Sequence, residues 1–106
     1  RRCSMEGEGF VALLLGRYKS GTQTRLITVD EAGVQLAILD VDKEVLSLTA
    51  AGKYVAVLYS DELVIYDKNL QVCARLEDMS SAKLALMRAD GSAVLVGSDA
   101  ASLYLP

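Results

Sequence analysis

Short apolar segments rich in Val, Ile, Leu and Tyr recur about every ten residues along this chain, and clusters of Gly, Asp, Asn and Ser separate them. The pattern predicts strands over Phe10–Leu15, Arg25–Val29, Val34–Leu39, Val45–Thr49, Tyr54–Tyr59, Leu63–Tyr66, Val72–Leu76, Lys83–Met87, Ala93–Val96 and Ser102–Leu105. The connections Ser60-Asp61-Glu62, Asp67-Lys68-Asn69 and Ala89-Asp90-Gly91 are short and polar, as hairpins require, so the strands follow one another as antiparallel meanders. Tyr54–Tyr59 is apolar at every position, which suits a strand covered on both faces; a strand with one wet face would alternate. In Val72–Leu76, Cys73 and Arg75 point opposite to Val72, Ala74 and Leu76, as on an outer edge. Ser80 to Asp90 is the one segment that also reads as a helix, with an N-cap, a run of helix formers from Lys83 to Arg88 and Gly91 to close it. The internal repeat favours a strand there.

That repeat has a period near 38 residues. Leu46-Ser47-Leu48 matches Leu84-Ala85-Leu86, Ser60-Asp61 matches Ser98-Asp99, and Arg25-Leu26-Ile27-Thr28 matches Leu63-Val64-Ile65-Tyr66. Phe10-Val11-Ala12-Leu13-Leu14 echoes Tyr54-Val55-Ala56-Val57-Leu58 at an offset of 44, the excess lying in the longer loop from Gly16 to Thr24. One complete unit then has four strands between residues 45 and 78, with a partial unit before it (10–40), another after it (82–106), and residues 1–9 as an N-terminal tail. Four strands in about 40 residues is the size of a β-propeller blade. The fold class expected is therefore all-β, four-stranded antiparallel meander blades in an incomplete ring. Propellers close with about four to eight blades, and 106 residues hold fewer than three. The chain is accordingly a piece of a longer protein, one of several copies that assemble, or a compact β-sandwich.

Gly52-Lys53-Tyr54-Val55-Ala56-Val57-Leu58 followed by Leu63-Val64-Ile65-Tyr66-Asp67-Lys68-Asn69-Leu70 resembles a blade of the WD40-like and PQQ-like bacterial propellers, especially the membrane-anchored ones of Gram-positive bacteria. The Gly-His and Trp-Asp pairs of true WD40 blades and the tryptophan docking motif of PQQ enzymes are absent, so the resemblance implies shape and an extracytoplasmic or cell-surface location, without a cofactor.

Composition narrows the function. With 52% apolar residues and 106 positions the chain can bury one modest core. Eleven basic against 14 acidic residues leave a net charge of −3, which offers no field for nucleic acid. The chain has no histidine, which excludes Ser-His or Cys-His catalysis and a histidine metal cage on these residues. Its longest apolar runs, Phe10 to Leu15 and Tyr54 to Tyr59, are far below the ~18 residues of a membrane helix. Cys3 and Cys73 form neither a CxxC pair nor a zinc knuckle, and a disulfide between them is left open.

Candidate sites are few. Asp40-Val41-Asp42-Lys43-Glu44 begins like a calcium loop, but Val45 and Ala51 stand where glycine and glutamate are needed, so no metal is expected. Asp30-Glu31, Asp61-Glu62 and Glu77-Asp78 read as acids at element ends. The loop from Gly16 to Arg25 is the one basic, irregular insertion, and Arg17, Tyr18, Lys19 and Arg25 make it the candidate binding loop, for a peptide, glycan or anion. Tyr54, Tyr59 and Tyr66 read as packing residues whose hydroxyls reach the rim. The expected function is a non-catalytic interaction or scaffold module, with protein or self-association through exposed blade faces. The alternatives are a part of a larger propeller enzyme or ligand sensor whose site lies in other blades, and a small sandwich binding domain.

Overall fold

The computed structural model describes residues 2–16, 24–77, 82–97 and 101–105, and these are all-β. A first sheet runs β1 (Arg2–Glu6), β2 (Phe10–Gly16), β3 (Thr24–Asp30), β4 (Gln35–Val41); a second runs β5 (Val45–Ala51), β6 (Tyr54–Tyr59), β7 (Glu62–Asp67), β8 (Val72–Glu77); a third runs β9 (Ala82–Met87), β10 (Ala93–Gly97), β11 (Ala101–Tyr104). Every pairing is antiparallel between consecutive strands, so each sheet is a simple meander. The expected tail is in fact strand-forming: Arg2–Glu6 pairs with β2 and gives the first sheet a fourth strand in place of the three expected between residues 10 and 40. The helix-like stretch after Ser80 carries β9, whose partner β10 decides the conformation that local propensity left balanced.

The middle sheet is covered on both faces. Val55, Val57, Tyr59, Val64 and Tyr66 meet Phe10, Ala12 and Leu26 of the first sheet in one core, while Ala56, Leu58, Leu63 and Ile65 meet Ala85, Met87, Ala93 and Leu95 of the third in another. Neighbours along β6 thus serve opposite cores, which is why the strand is apolar throughout. The first strands lie closest, β1 beside β5 and β5 beside β9, whereas β4 and β8 make no comparable approach, so the sheets splay outward from their first strands. The molecule measures 39 × 35 × 18 Å, and its shortest dimension is close to the length of one six-residue strand, ~20 Å at ~3.3 Å per residue.

Hydrogen bonds join the sheets as well. The Ser47 hydroxyl donates to the Ala85 carbonyl (3.2 Å), the Met87 N–H donates to the Thr49 hydroxyl (3.1 Å), and the buried Thr28 hydroxyl donates to the Lys68 carbonyl (2.6 Å). The β1–β2, β5–β6 and β9–β10 turns meet at one point, where the Glu8 N–H donates to the Gly52 carbonyl (2.8 Å) and Gly52 lies against the Ala89 backbone.

The repeat is real in three dimensions but its register needs one correction. The β3–β4 and β7–β8 hairpins share a bulge in the same place, between Thr28 and Val29 and between Ile65 and Tyr66. They also share a turn closed by an aspartate, Asp30 accepting from the Ala32 and Val34 N–H groups and Asp67 from those of Asn69 and Gln71. Asp30 therefore corresponds to Asp67, an offset of 37 (67 − 30), not the 38 inferred for this strand from residue type. At 38, Leu26 would match Val64, which faces the opposite core; at 37 it matches Leu63, which faces the corresponding one. A slip of one residue turns every side chain to the other face, so the structure admits only the second.

Candidate functional site

β8 ends and β5 begins at the same end of the middle sheet as the β6–β7 hairpin, and five charged side chains gather there. A cleft of about 350 Å³ is lined by Lys43, Asp61, Glu62, Arg75 and Glu77. Glu62 opens β7 on the same face as Val64 and Tyr66, so the strand carries its carboxylate into the margin of the first core, where its side chain is 12% exposed. Burying a carboxylate is costly unless cations and donors meet it. Two do: the Lys43 ammonium is bonded to it, and Arg75 Nε lies 3.4 Å from Oε1.

Lys43 is the hub. Its ammonium also lies 3.5 Å from Asp61 and sits over the Tyr59 ring, 5.4 Å from the centroid. The bond to Glu62, reinforced by the Glu62 and Asp61 charges, raises its pKa above the usual lysine value against a smaller opposing effect of burial. Lys43 lies in the link between β4 and β5, so this clamp ties the crossover from the first sheet to both β7 and β8. Beneath it the Tyr59 and Tyr66 hydroxyls bond each other at 2.9 Å. Burial first, and then that bond, push Tyr59 far above the ordinary tyrosine range. These hydroxyls face inward, in place of the rim position expected for them. Tyr54 packs against the other core.

Of the candidate binding loop, Arg17, Tyr18 and Lys19 lie outside the described residues; Gly16 and Thr24, which bound the loop, pair with each other at this same end of the molecule. Arg25 is placed within β3, not in the loop, and its Nε lies 2.8 Å from Asp40 on the neighbouring strand. That pair sits on the outer face of the first sheet, away from the clamp. The acidic run is likewise divided, Asp40 turning to Arg25 and Lys43 to Glu62, and among the described residues no three His, Cys, Asp or Glu side chains gather as metal ligands. Cys73 is a free, exposed thiol on β8, while Cys3 lies on β1 of another sheet.

Chemically the clamp holds charge in balance. Both oxygens of Glu62 are engaged by cations, and the residues around them position a crossover and a strand pair. Glu62 is thus a buried, paired carboxylate rather than the solvated acid expected at an element end. Its parity with Val64 and Tyr66 in an all-apolar strand was the available signal, because a carboxylate on a buried face requires a cation and Arg75 stands on the adjoining strand.

No protein-family model matches the chain, and no curated protein matches it either.

Proposed function

We propose that the chain is a β-propeller-type repeat segment that works as a non-catalytic interaction or scaffold module, associating through its terminal sheet faces. One observation carries this reading: the molecule uses a single kind of sheet-to-sheet interface twice. Phe10, Ala12 and Leu14 of β2 pack toward the middle sheet as Tyr54, Ala56 and Leu58 of β6 pack toward the third. Three sheets splaying from adjacent first strands, flattened to the depth of one strand, fit sectors of a disc better than the two layers of a sandwich. A repeat array buries its members by stacking, so its end members keep an apolar face to offer.

Light scattering over a range of concentrations tests this. Species heavier than the 11.4 kDa chain are expected as concentration rises. A monodisperse 11.4 kDa particle at every concentration overturns the association reading.

A further inference from the structure

The two unused faces are not alike, and their difference assigns the partner. Each sheet has a front, turned toward the sheet before it, and a back, turned toward the sheet after it. The fronts in use are Val55, Val57 and Tyr59 of β6 and Ala93 and Leu95 of β10; the backs in use are Phe10, Ala12 and Leu14 of β2 and Ala56 and Leu58 of β6. Among the described residues, the front of the first sheet has no sheet packed against it. It carries Val11, Leu13 and Leu15 of β2, in register with Val29, Ile27 and Arg25 of β3, and beyond them Ile38 of β4, which is 47% exposed. Among the described residues, the back of the third sheet likewise has no sheet packed against it. It carries Val94 of β10 in register with Leu86 and Leu103, 48% and 53% exposed, and Val96 beside them.

We infer that a second copy of this chain docks head to tail, the back of its third sheet, built on Leu86, Val94, Val96 and Leu103, seated on the front of the first sheet, built on Val11, Leu13, Ile27 and Ile38. The argument is continuity with interfaces already present: back meets front between the first and second sheets and again between the second and third, and the chain exposes one unmatched front and one unmatched back. Both are apolar over neighbouring strands, where monomers rarely leave a contiguous patch bare. Of the charged residues in register on the front, Arg25 is already paired with Asp40, while Arg2 and Glu6 stand at its edge on β1, opposite Leu15 and Val11, so the apolar patch is centred on β2 and β3. Such an interface is heterologous, joining different patches of the two copies, and therefore extends or closes into a ring.

This inference rests on the reading of the chain as a repeat module, and face variants separate the two. Ile27→Glu with Ile38→Glu disables the front, and Leu86→Glu with Leu103→Glu disables the back. Ile38→Glu alone and Leu103→Glu alone, at the most exposed positions, serve if either double variant loses its cooperative thermal transition. Head-to-tail docking predicts that each variant alone is monomeric at concentrations where the parent chain associates, and that an equimolar mixture of the two forms a 1:1 dimer, because each supplies the face the other lacks. A front or back variant that still self-associates overturns the inference while leaving the module reading in place, since the contact is then between like faces or strand edges. A mixture that stays monomeric does the same. A parent chain that is monomeric throughout overturns both.

Discussion

Leu70 carries the clearest conflict between residue and backbone. Among the described residues it is the one non-glycine with positive φ, at 58°, in the turn where the equivalent Gly33 has 82°. A left-handed conformation costs an L-residue about 1–2 kcal/mol. Leucine is kept there because its side chain packs, partly buried, against the core between the first two sheets. Leu70→Ala removes that packing and retains the strain, whereas Leu70→Gly removes the packing and releases it. The glycine variant is therefore expected to be more stable than the alanine variant by about 0.5–1 kcal/mol, after the extra freedom of glycine in the unfolded chain is set against the relief. Urea denaturation of the two measures the difference, and an alanine variant equal to or better than glycine sinks the account.

Hairpins are the elements at which the three sheets are brought into line, and glycine is required in one of them for a reason beyond its φ. Gly52 has φ 57°, and a Cβ on it would lie 2.8 Å from the Ala89 carbonyl oxygen and 3.0 Å from its Cα, both backbone atoms of the neighbouring hairpin. Gly33, at φ 82°, has nothing within 4 Å of that position. Gly33→Ala should thus cost about 1 kcal/mol of conformational strain, and Gly52→Ala about 2–4 kcal/mol, because overpacking against backbone adds to the same strain. Thermal unfolding of both variants checks the ranking. Elements of this kind were largely legible in the sequence: ten strands, the hairpin turns and the covered character of β6 follow from period and punctuation. What was not legible depended on long-range pairing. Arg2–Glu6 does alternate, Cys3 and Met5 against Arg2, Ser4 and Glu6, but over five residues with only two apolar positions and no β-branched or aromatic side chain, so it is pairing with β2 that fixes it as a strand. The offset of 37 in the β3–β4 and β7–β8 hairpins could not be told from 38, since Leu, Val and Ile fit either face and only the cores distinguish them. The clamp was hidden for a related reason. Lys43, Glu62 and Arg75 are separated along the chain, and it is the crossover between sheets that brings the lysine to the carboxylate.

At the scale of the whole molecule, stability should be graded from the middle outward. Opening the first sheet or the third breaks one interface, but opening the middle sheet breaks both, because residues of β6 and β7 belong to the two cores at once. In a stacked array each unit contributes its own stability and one term for each neighbour, and local openings then range from low free energies at the ends up to the global value. Native-state hydrogen exchange is expected to find the slowest amides in β6 and β7, faster ones in β2 and β3, and the fastest in β4 and β11, the outermost strands described in the first and third sheets. Equal protection in all three sheets would mean one indivisible cooperative unit and would remove the physical basis for treating the sheets as repeats. Concentration supplies a second axis to the same experiment. Covering the front of the first sheet and the back of the third gives each end a neighbour, so protection in β2, β3 and β10 should rise with protein concentration while β6 and β7, already covered on both faces, change little.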